Sequence, residues 1–207
     1  MPKPRPEPHA NDARQTLLEG LARYAYQYRP EQPFTLASGA TSPEYLDCRL
    51  ALSHPCVLAA AAKLLCDSLQ RNAEAVGGLT MGADPVAVAV SLHSLQQPER
   101  LRWFTVRKEP KGHGQGRRVE GDITAGTSVV IVEDVTTSGS SALNAVGALR
   151  AFGAHVVEVV SVVDREVGGL AAVAEVVGPN VPVHALVTRS DVRAAWDTLH
   201  ASPGNGI

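Results

Sequence analysis

The chain is short of cysteine, of aromatic residues and of net charge, and each shortage excludes a class of protein. It has three cysteines in 207 residues and no Cys-x-x-Cys pair, and its N-terminus lacks the apolar segment of a secretory signal, so reduced, cytosolic thiols are expected. A net charge of −2 gives no general basic field to hold nucleic acid. The longest apolar runs are too short to span a bilayer. The sequence therefore predicts a cytoplasmic protein that binds neither nucleic acid nor membrane.

Aliphatic residues must supply the core, because aromatic residues make up only 4% of the chain. Hydrophobic residues reach 44%, mostly Ala, Val and Leu, which excludes intrinsic disorder. A chain of this length buries about 70% of the surface that its unfolded form exposes, so it can fold without disulfides or structural metal ions. We expect a single domain over residues 11–200, between a disordered tail at 1–10 and a second tail at 201–207.

Short β-rich runs alternate with segments long enough to be helices. The expected strands are 75–79, 102–106, 129–132, 156–163 and 183–187. The expected helices are 11–28, 55–69, 86–95 and one that carries Leu143, Val146, Leu149 and Phe152 and ends at Gly153. Strands separated by helices indicate an α/β fold with an open parallel sheet flanked by helices. Residues 31–50 contain two short extended pieces around a turn and would form a small N-terminal hood.

The segment 129–142 carries the strongest functional signal. An apolar run ends in two adjacent carboxylates, Glu133 and Asp134, and then in a turn of small hydroxyl residues that opens a helix. In open α/β sheets, ligands bind beyond the carboxyl ends of the strands, and amides at a helix N-terminus suit a phosphate. The carboxylates would accept hydrogen bonds from sugar hydroxyls, so the segment predicts a ribose-phosphate site. An ordinary strand-to-helix turn would explain the hydroxyls but not the paired acids.

A second signal is the glycine-rich, basic stretch 107–121, which we expect to be a mobile loop. Residues 107–118 carry five Lys and Arg side chains against one Glu. Cations on a closing loop stabilise the charge that a leaving pyrophosphate accumulates. The alternative is a solvated basic loop, for instance one that contacts RNA, but no aromatic residue is interleaved for base stacking.

The paired acids and the hydroxyl turn resemble the phosphoribosyl-diphosphate (PRPP) binding motif of the type I phosphoribosyltransferases. Three more segments resemble the orotate phosphoribosyltransferase family: Phe34-Thr-Leu-Ala-Ser-Gly-Ala-Thr-Ser-Pro-Glu-Tyr-Leu-Asp47, Arg107-Lys-Glu-Pro-Lys-Gly-His-Gly114 and Val163-Asp-Arg-Glu166. The resemblance covers about 17–187. It implies transfer of the phosphoribosyl group of PRPP to orotate, giving orotidine 5′-monophosphate and pyrophosphate in pyrimidine (UMP) biosynthesis.

The resemblance also implies the roles of individual residues. Arg107, Lys108, Lys111 and His113 would act in catalysis and close over the pyrophosphate. PRPP would further contact Glu133, Asp134, Val135, Thr136, Thr137, Ser138, Gly139, Ser140 and Ser141. Thr137 and Arg165 would contact orotate, and the turn 82–85 would lie beside the pyrophosphate. Mg²⁺ would be held mainly by substrate and water, with no dedicated protein ligands. The protein would be a homodimer in which loop 107–121 closes over the neighbouring site.

The sequence departs from the family pattern at two positions, and it leaves two alternative functions open. Ala37 stands where many relatives have a lysine, and Thr80-Met-Gly-Ala-Asp-Pro85 replaces a lysine-containing turn. The loop lysines and Arg165 would then be the main cations of the site. The alternatives are a phosphoribosyltransferase for another nucleobase and a non-catalytic, PRPP-sensing regulator. A regulator would not need the basic loop, and no DNA-binding appendage is evident.

Overall fold

The computed structural model describes residues 10–35, 39, 41–70, 72–98, 100–109 and 118–201. The helices are α1 (Ala10–Gly20), α2 (Cys48–Leu52), α3 (Pro55–Ser68), α4 (Ala83–His93), α5 (Ser140–Phe152), α6 (Gly169–Val177) and α7 (Arg189–Ala201). The strands are β1 (Tyr26–Tyr28), β2 (Phe34–Thr35), β3 (Thr41–Ser42), β4 (Glu44–Leu46), β5 (Ala75–Leu79), β6 (Arg102–Val106), β7 (Val119–Gly121), β8 (Ser128–Thr136), β9 (His155–Asp164) and β10 (Val183–Thr188). None of the helices in the described ranges is long and apolar enough to cross a membrane.

The central sheet has six strands in the order β10-β9-β8-β5-β6-β7. All neighbours are parallel except β7, which pairs antiparallel with β6 at the edge. Buried Val and Ala side chains cover both faces of the sheet and form two apolar clusters, as a parallel sheet packed between helices requires. The predicted open parallel sheet is confirmed, and strands 75–79 and 102–106 have the predicted bounds.

The N-terminal hood consists of two small antiparallel pairs, β1 with β4 and β2 with β3. The predicted helix 11–28 is wrong at its C-terminal end, because α1 stops at Gly20, a π-helical turn covers Leu21–Ala25, and Tyr26–Tyr28 form β1. The spacing of the tyrosines at 24, 26 and 28 is compatible with a helix and with a strand. Residues 26–28 form a strand because they pair with β4, which lies sixteen residues or more away in the chain.

Other predicted bounds change as well. Strand β8 runs to Thr136 instead of ending at Val132, so the paired acids lie within the strand and not after it. Helix α4 begins at Ala83 with Gly82 as its N-cap, rather than at Val86, and it ends at His93 before a 3₁₀ turn over Ser94–Gln96. The C-terminal end of the predicted loop 107–121 is a strand, since Val119–Gly121 pair with β6. Ala10 and Ala201, assigned to the tails, lie within helices. Pairing with a neighbouring strand and helix packing, which the local pattern does not report, set these bounds.

Candidate active site

One large cavity of about 1220 Å³ lies at the carboxyl end of the central strands. Its wall includes the ends of β5, β6 and β8, the hood at Tyr45–Arg49 and the turn after β9. Of the predicted site residues, the cavity is lined by Arg107, Lys108, Glu133, Asp134, Val135, Thr137, Ser141 and Arg165. A smaller hollow of about 270 Å³ is formed by residues 133–142 and includes Thr136, Ser138, Gly139 and Ser140. The sheet topology therefore brings three separate sequence motifs to one place.

The paired acids are the most deeply buried charged groups of the cavity wall. Glu133 is 4% exposed and Asp134 is 9% exposed. Asp134 Oδ1 accepts a hydrogen bond of 2.9 Å from the N–H of Val135, whereas Glu133 Oε1 is buried and has no hydrogen-bond partner among the described residues. A buried carboxylate oxygen without a donor is costly. Donors from a bound ligand, such as sugar hydroxyls, would remove that cost.

Burial changes the ionisation of both acids. It raises the pKa of Glu133 to about 8, helped by the negative charge of Asp134. Burial also raises the pKa of Asp134, although hydrogen bonds from backbone N–H groups and the charge of Arg49 act in the opposite direction. Glu133 therefore holds a proton in the empty site over much of the neutral range. A ligand that donates to its oxygens would favour the ionised form and release that proton.

Glu133 is expected to make the empty protein less stable as the pH rises. Its pKa of about 8 in the folded state exceeds the ordinary 4.5, so the folded state binds more protons than the unfolded state between those values, and stability falls across this window. Glu133→Gln removes this contribution, and we expect the difference in unfolding free energy between variant and wild type to change by roughly 4 kcal/mol from pH 5 to pH 9. Urea unfolding of both proteins across this range measures the effect. Parallel pH curves would contradict the assignment.

The hydroxyl turn between β8 and α5 is built around Gly139. This residue has φ of +79° and caps α5, and a Cβ there would lie 2.7 Å from the carbonyl oxygen of Gly169. Only glycine combines that backbone with that close approach. Ser138 and Ser140 are exposed, and their hydroxyls lie 3.2 Å apart. The turn thus presents hydroxyls and the first amides of a thirteen-residue helix to the same hollow.

Thr136 has a different place from the one that the motif predicts. Its hydroxyl is buried and hydrogen-bonds to the hydroxyl of Ser161 on β9. This side chain therefore ties β8 to β9, although Thr136 is among the residues that line the hollow. The identical residue types at 136 and 137 gave no signal to separate a structural threonine from an exposed one.

Arg165 lines the large cavity without a partner of its own. Its N–H donates to the carbonyl of Thr136 at 3.0 Å, but its guanidinium makes no hydrogen bond or ion pair with any described residue. The neighbouring carboxylates are engaged elsewhere: Asp164 accepts from the N–H of Glu166, and Glu166 accepts from Ser190. An unpaired guanidinium in a cavity is available to bind a carboxylate in a bidentate manner.

The base of the basic loop is held on the edge of the sheet. Arg107 donates its N–H to the carbonyl of Arg118 at 2.7 Å, and the Arg118 guanidinium returns to the carbonyls of Arg107 and Lys108 and to the side chain of Asn144. Arg118 therefore anchors the loop rather than adding a free cation. Arg107 and Lys108 line the cavity from this base. Lys111 and His113 lie outside the described residues, as does Ala37.

The hood supplies site residues to which the sequence analysis assigned no individual role, although two of them lie in the segment 34–47 that resembles the family. Tyr45, Asp47 and Arg49 line the cavity, and the Arg49 guanidinium pairs with Asp47 through contacts of 2.9 and 3.0 Å. Arg49 is thus a further cation beside Arg165 and the loop. Cys48, which lies between Asp47 and Arg49 in the chain, is fully buried, and this burial raises the pKa of its thiol. The charges of Asp134 and Asp47 raise that pKa further, whereas the charge of Arg165 lowers it. These charges therefore converge on one wall.

The turn after β5 forms another part of the wall. Thr80, Met81 and Gly82 line the cavity, and the carboxylate of Asp84 accepts hydrogen bonds from the hydroxyls of Thr80 and Thr105 at 2.6 and 2.5 Å. A Cβ on Gly82 would lie 2.6 Å from Asp134 Oδ1, so glycine is required for this turn to pack against the acidic pair. The turn therefore packs against the acidic pair, and its place beside the pyrophosphate stays a prediction.

Comparison with known proteins places this geometry in a family. No protein-family model matches the chain. The orotate phosphoribosyltransferase of Rhodopirellula baltica is 46% identical over 149 residues, which cover 69% of this chain and 77% of the relative. That of Thermosynechococcus vestitus is 41% identical over 189 residues, covering 88% and 94%. The crystal structure of Mycobacterium tuberculosis orotate phosphoribosyltransferase in complex with PRPP has a TM-score of 0.69 and 33% identity, covering 87% of this chain and 99% of that chain.

These similarities identify first the fold class and then the family of the chain. The mostly parallel sheet flanked by helices is the fold of the type I phosphoribosyltransferases, which the solved orotate phosphoribosyltransferases of M. tuberculosis and Aeropyrum pernix share. The chain belongs to the orotate phosphoribosyltransferase family.

Proposed function

We propose that the protein transfers the 5-phosphoribosyl group of PRPP to N1 of orotate, giving orotidine 5′-monophosphate and pyrophosphate for pyrimidine synthesis. One observation carries this proposal: the large cavity and the smaller hollow, which share Glu133, Asp134 and Thr137, bring together the acidic pair, the hydroxyl turn and an arginine whose guanidinium has no partner among the described residues. These groups match a ribose, a phosphate and an organic carboxylate respectively. The identity to orotate phosphoribosyltransferases over most of the chain supports the choice of nucleobase.

One set of residues binds PRPP, and a second set binds orotate. Glu133 and Asp134 accept the ribose hydroxyls, and the turn 137–141 holds the 5′-phosphate with hydroxyls and amides. Arg165 and Thr137 hold orotate, whose N1 attacks ribose C1′ while the bond to pyrophosphate breaks. Positive charge develops on the ribose in this step, and the buried carboxylates beside it stabilise that charge. No covalent enzyme intermediate is needed.

Arg107 and Lys108, with Lys111 and His113 of the same loop, bind the departing pyrophosphate. Arg107 lies on the loop base, and its Nε is buried without a hydrogen-bond partner among the described residues. Its guanidinium lies 3.9 Å from Glu120, which holds it at the cavity wall. Fixed cations that meet a developing negative charge lower the barrier most when water is excluded.

We also propose that Mg²⁺ accompanies PRPP. Within the described ranges no group of three or more His, Cys, Asp or Glu side chains is arranged to hold a metal. The buried pair Glu133 and Asp134, with its free Oε1, fits a metal that arrives on substrate oxygens and reaches protein only through hydroxyls or water. When bound, Mg²⁺ neutralises pyrophosphate oxygens and orients the leaving group.

The test mixes the protein with PRPP, Mg²⁺ and orotate and follows the loss of orotate absorbance. Uracil, adenine, hypoxanthine and guanine serve as matched acceptors, assayed by release of pyrophosphate. Turnover of orotate alone supports the proposal. Turnover of another base, or PRPP binding without turnover, would identify one of the two alternative functions instead. Omitting Mg²⁺ is expected to abolish turnover.

We propose further that the protein is a cytoplasmic homodimer, in which loop 107–121 reaches the partner's cavity. An apolar groove of about 490 Å³ lies between α3, α4 and β6 and is lined mainly by Leu58, Pro85, Val88, Ala89, Leu92 and Trp103. Leu92 is 63% exposed and Trp103 is 47% exposed, a large apolar area for a free surface. Thr105 lines both this groove and the large cavity, so a second copy seated here would lie next to the site.

Leu92→Asp is expected to convert the dimer to a monomer, because a charge in the groove must be desolvated on association. Val176→Asp is the matched control, since Val176 is an exposed apolar residue on α6, away from the groove. Sedimentation equilibrium of both variants and the wild type measures the mass. A wild-type monomer, or a Leu92→Asp dimer as tight as the wild type, would contradict the assignment of this face.

A further inference from the structure

Arg189, at the start of α7, lies between two carboxylates from different parts of the molecule. Its Nη1 donates to Glu44 Oε2 at 2.6 Å, and its Nε lies 3.4 Å from Glu166 Oε2. Glu44 begins strand β4 of the hood, whereas Glu166 follows β9 of the central sheet. The Arg189 guanidinium therefore touches both the hood and the turn after β9; Arg193, on the same helix, adds a longer contact of 3.4 Å with Glu44. A planar fork with several donors suits a bridge between two carboxylates.

On the sheet side, the connection holds the turn that carries Arg165. Glu166 has φ of +60°, a left-handed conformation that is strained for a residue with a side chain. Its carboxylate accepts hydrogen bonds from the N–H and the hydroxyl of Ser190 at 2.9 and 2.6 Å, and its own N–H donates to Asp164 at 2.9 Å. These contacts keep the residue directly after Arg165 in that conformation. The direction of Arg165 thus depends on the carboxylate of Glu166.

On the hood side, the connection holds the strand that carries Tyr45. Glu44 Oε1 accepts a hydrogen bond of 2.7 Å from the hydroxyl of Tyr26, and its Oε2 is occupied by Arg189. Burial alone would raise the pKa of Glu44, but the hydrogen bonds from Arg189 and Tyr26 lower it below its usual value. Glu44 is therefore ionised and paired at neutral pH, and its neighbour Tyr45 lines the cavity.

We propose that Arg189 is a positioning residue for the nucleobase: by holding Glu44 and Glu166, it sets the gap between Tyr45 of the hood and Arg165 of the sheet. The inference rests on the proposed function, since it assigns that gap to orotate. Among the described residues, Arg189, Glu44 and Glu166 make no hydrogen bond or ion pair with the PRPP-facing residues 133–141, which meet the Arg165 turn through the main-chain bond from Arg165 to Thr136. Loss of Arg189 therefore affects orotate much more than PRPP.

The test compares Arg189→Met with Arg189→Lys and with the control Arg14→Met. Arg14 makes an exposed pair of 3.1 Å with Asp191 on the same helix, so its variant removes a pair from α7 without touching the hood or the Arg165 turn. We expect Arg189→Met to raise KM for orotate about tenfold while the calorimetric Kd for PRPP changes less than about twofold. Arg189→Lys should recover part of the loss, and Arg14→Met should match the wild type.

Two results would overturn the proposal. One is an unchanged KM for orotate in Arg189→Met; the other is an equal loss for orotate and PRPP together with a lowered Tm, which would mean a merely structural role. If the wild type does not use orotate, the proposed function fails separately. Hydrogen exchange of PRPP-bound protein then decides the connection itself: faster exchange in both 44–46 and 164–166 of Arg189→Met supports it, and unchanged exchange in either segment overturns it.

Discussion

Replacing Arg165 with leucine is expected to lower kcat/KM for orotate by about 10²-fold or more and to leave PRPP binding nearly unchanged. Orotate differs from uracil by a carboxylate, so its selection requires a group that meets that anion. Arg165 lines the cavity, and its guanidinium has no partner among the described residues. A bound carboxylate that loses this partner keeps the full cost of its own desolvation. The proposed 5′-phosphate and ribose contacts lie in 133–141, and the variant keeps the main-chain bond from Arg165 to Thr136.

Steady-state kinetics with orotate and calorimetry with PRPP, on the same protein, separate specificity from folding. Arg150→Leu is the matched control, because Arg150 lies on α5 and its guanidinium donates, among the described residues, to the carbonyl of Val176 alone. Since the Arg165 side chain makes no hydrogen bond or ion pair with any described residue, its leucine variant should also keep the wild-type Tm. Equal losses for orotate and PRPP would point to a general electrostatic role. No loss for either ligand would remove Arg165 from the site.

The strand-to-turn-to-helix segment around Glu133 shows how far local pattern reaches. The apolar run, the paired acids and the small residues that follow are all contiguous, so period and composition predict a strand end, a ligand and a helix start together. Gly139 has the left-handed backbone that such a turn requires. The same reasoning placed the cores of the other central strands, because buried parallel strands appear as continuous apolar runs.

Local sequence patterns do not predict contacts between distant parts of the chain. The pair of Glu44 with Arg189 joins residues 145 positions apart, and no local period marks either side chain. Arg49 entered the site only because β1 and β4 pair and direct the hood toward the cavity. Charged residues in such positions look like ordinary surface charges in a sequence. The roles of Lys111 and His113 remain predictions from the loop motif, since both lie outside the described residues.

Burial of the acidic pair destabilises the empty protein but prepares the pair to bind a ligand, and the two effects must be separated when its members are tested. Glu133 and Asp134 are buried at a cost to the empty protein, which burial expresses as a raised pKa for each carboxyl. Such a cost is tolerated where a ligand provides the missing donors. Asp134 is the better probe of ligand binding, because its Oδ1 already has the Val135 N–H and its conformation is fixed by contact with Gly82.

Asp134→Asn is expected to weaken PRPP binding by about 10- to 100-fold and to change KM for orotate little. The amide keeps the shape of the carboxyl, but it loses the charge-assisted bond to a ribose hydroxyl, worth on the order of 1.5–3 kcal/mol. Asp122→Asn makes the same chemical change at a side chain that is 90% exposed and 3.7 Å from Arg102. Calorimetric titration of PRPP into the wild type and both variants measures the loss, with orotate kinetics at saturating PRPP as the second readout. If Asp134→Asn binds PRPP as tightly as Asp122→Asn does, the acidic pair is structural and the ribose lies elsewhere in the cavity.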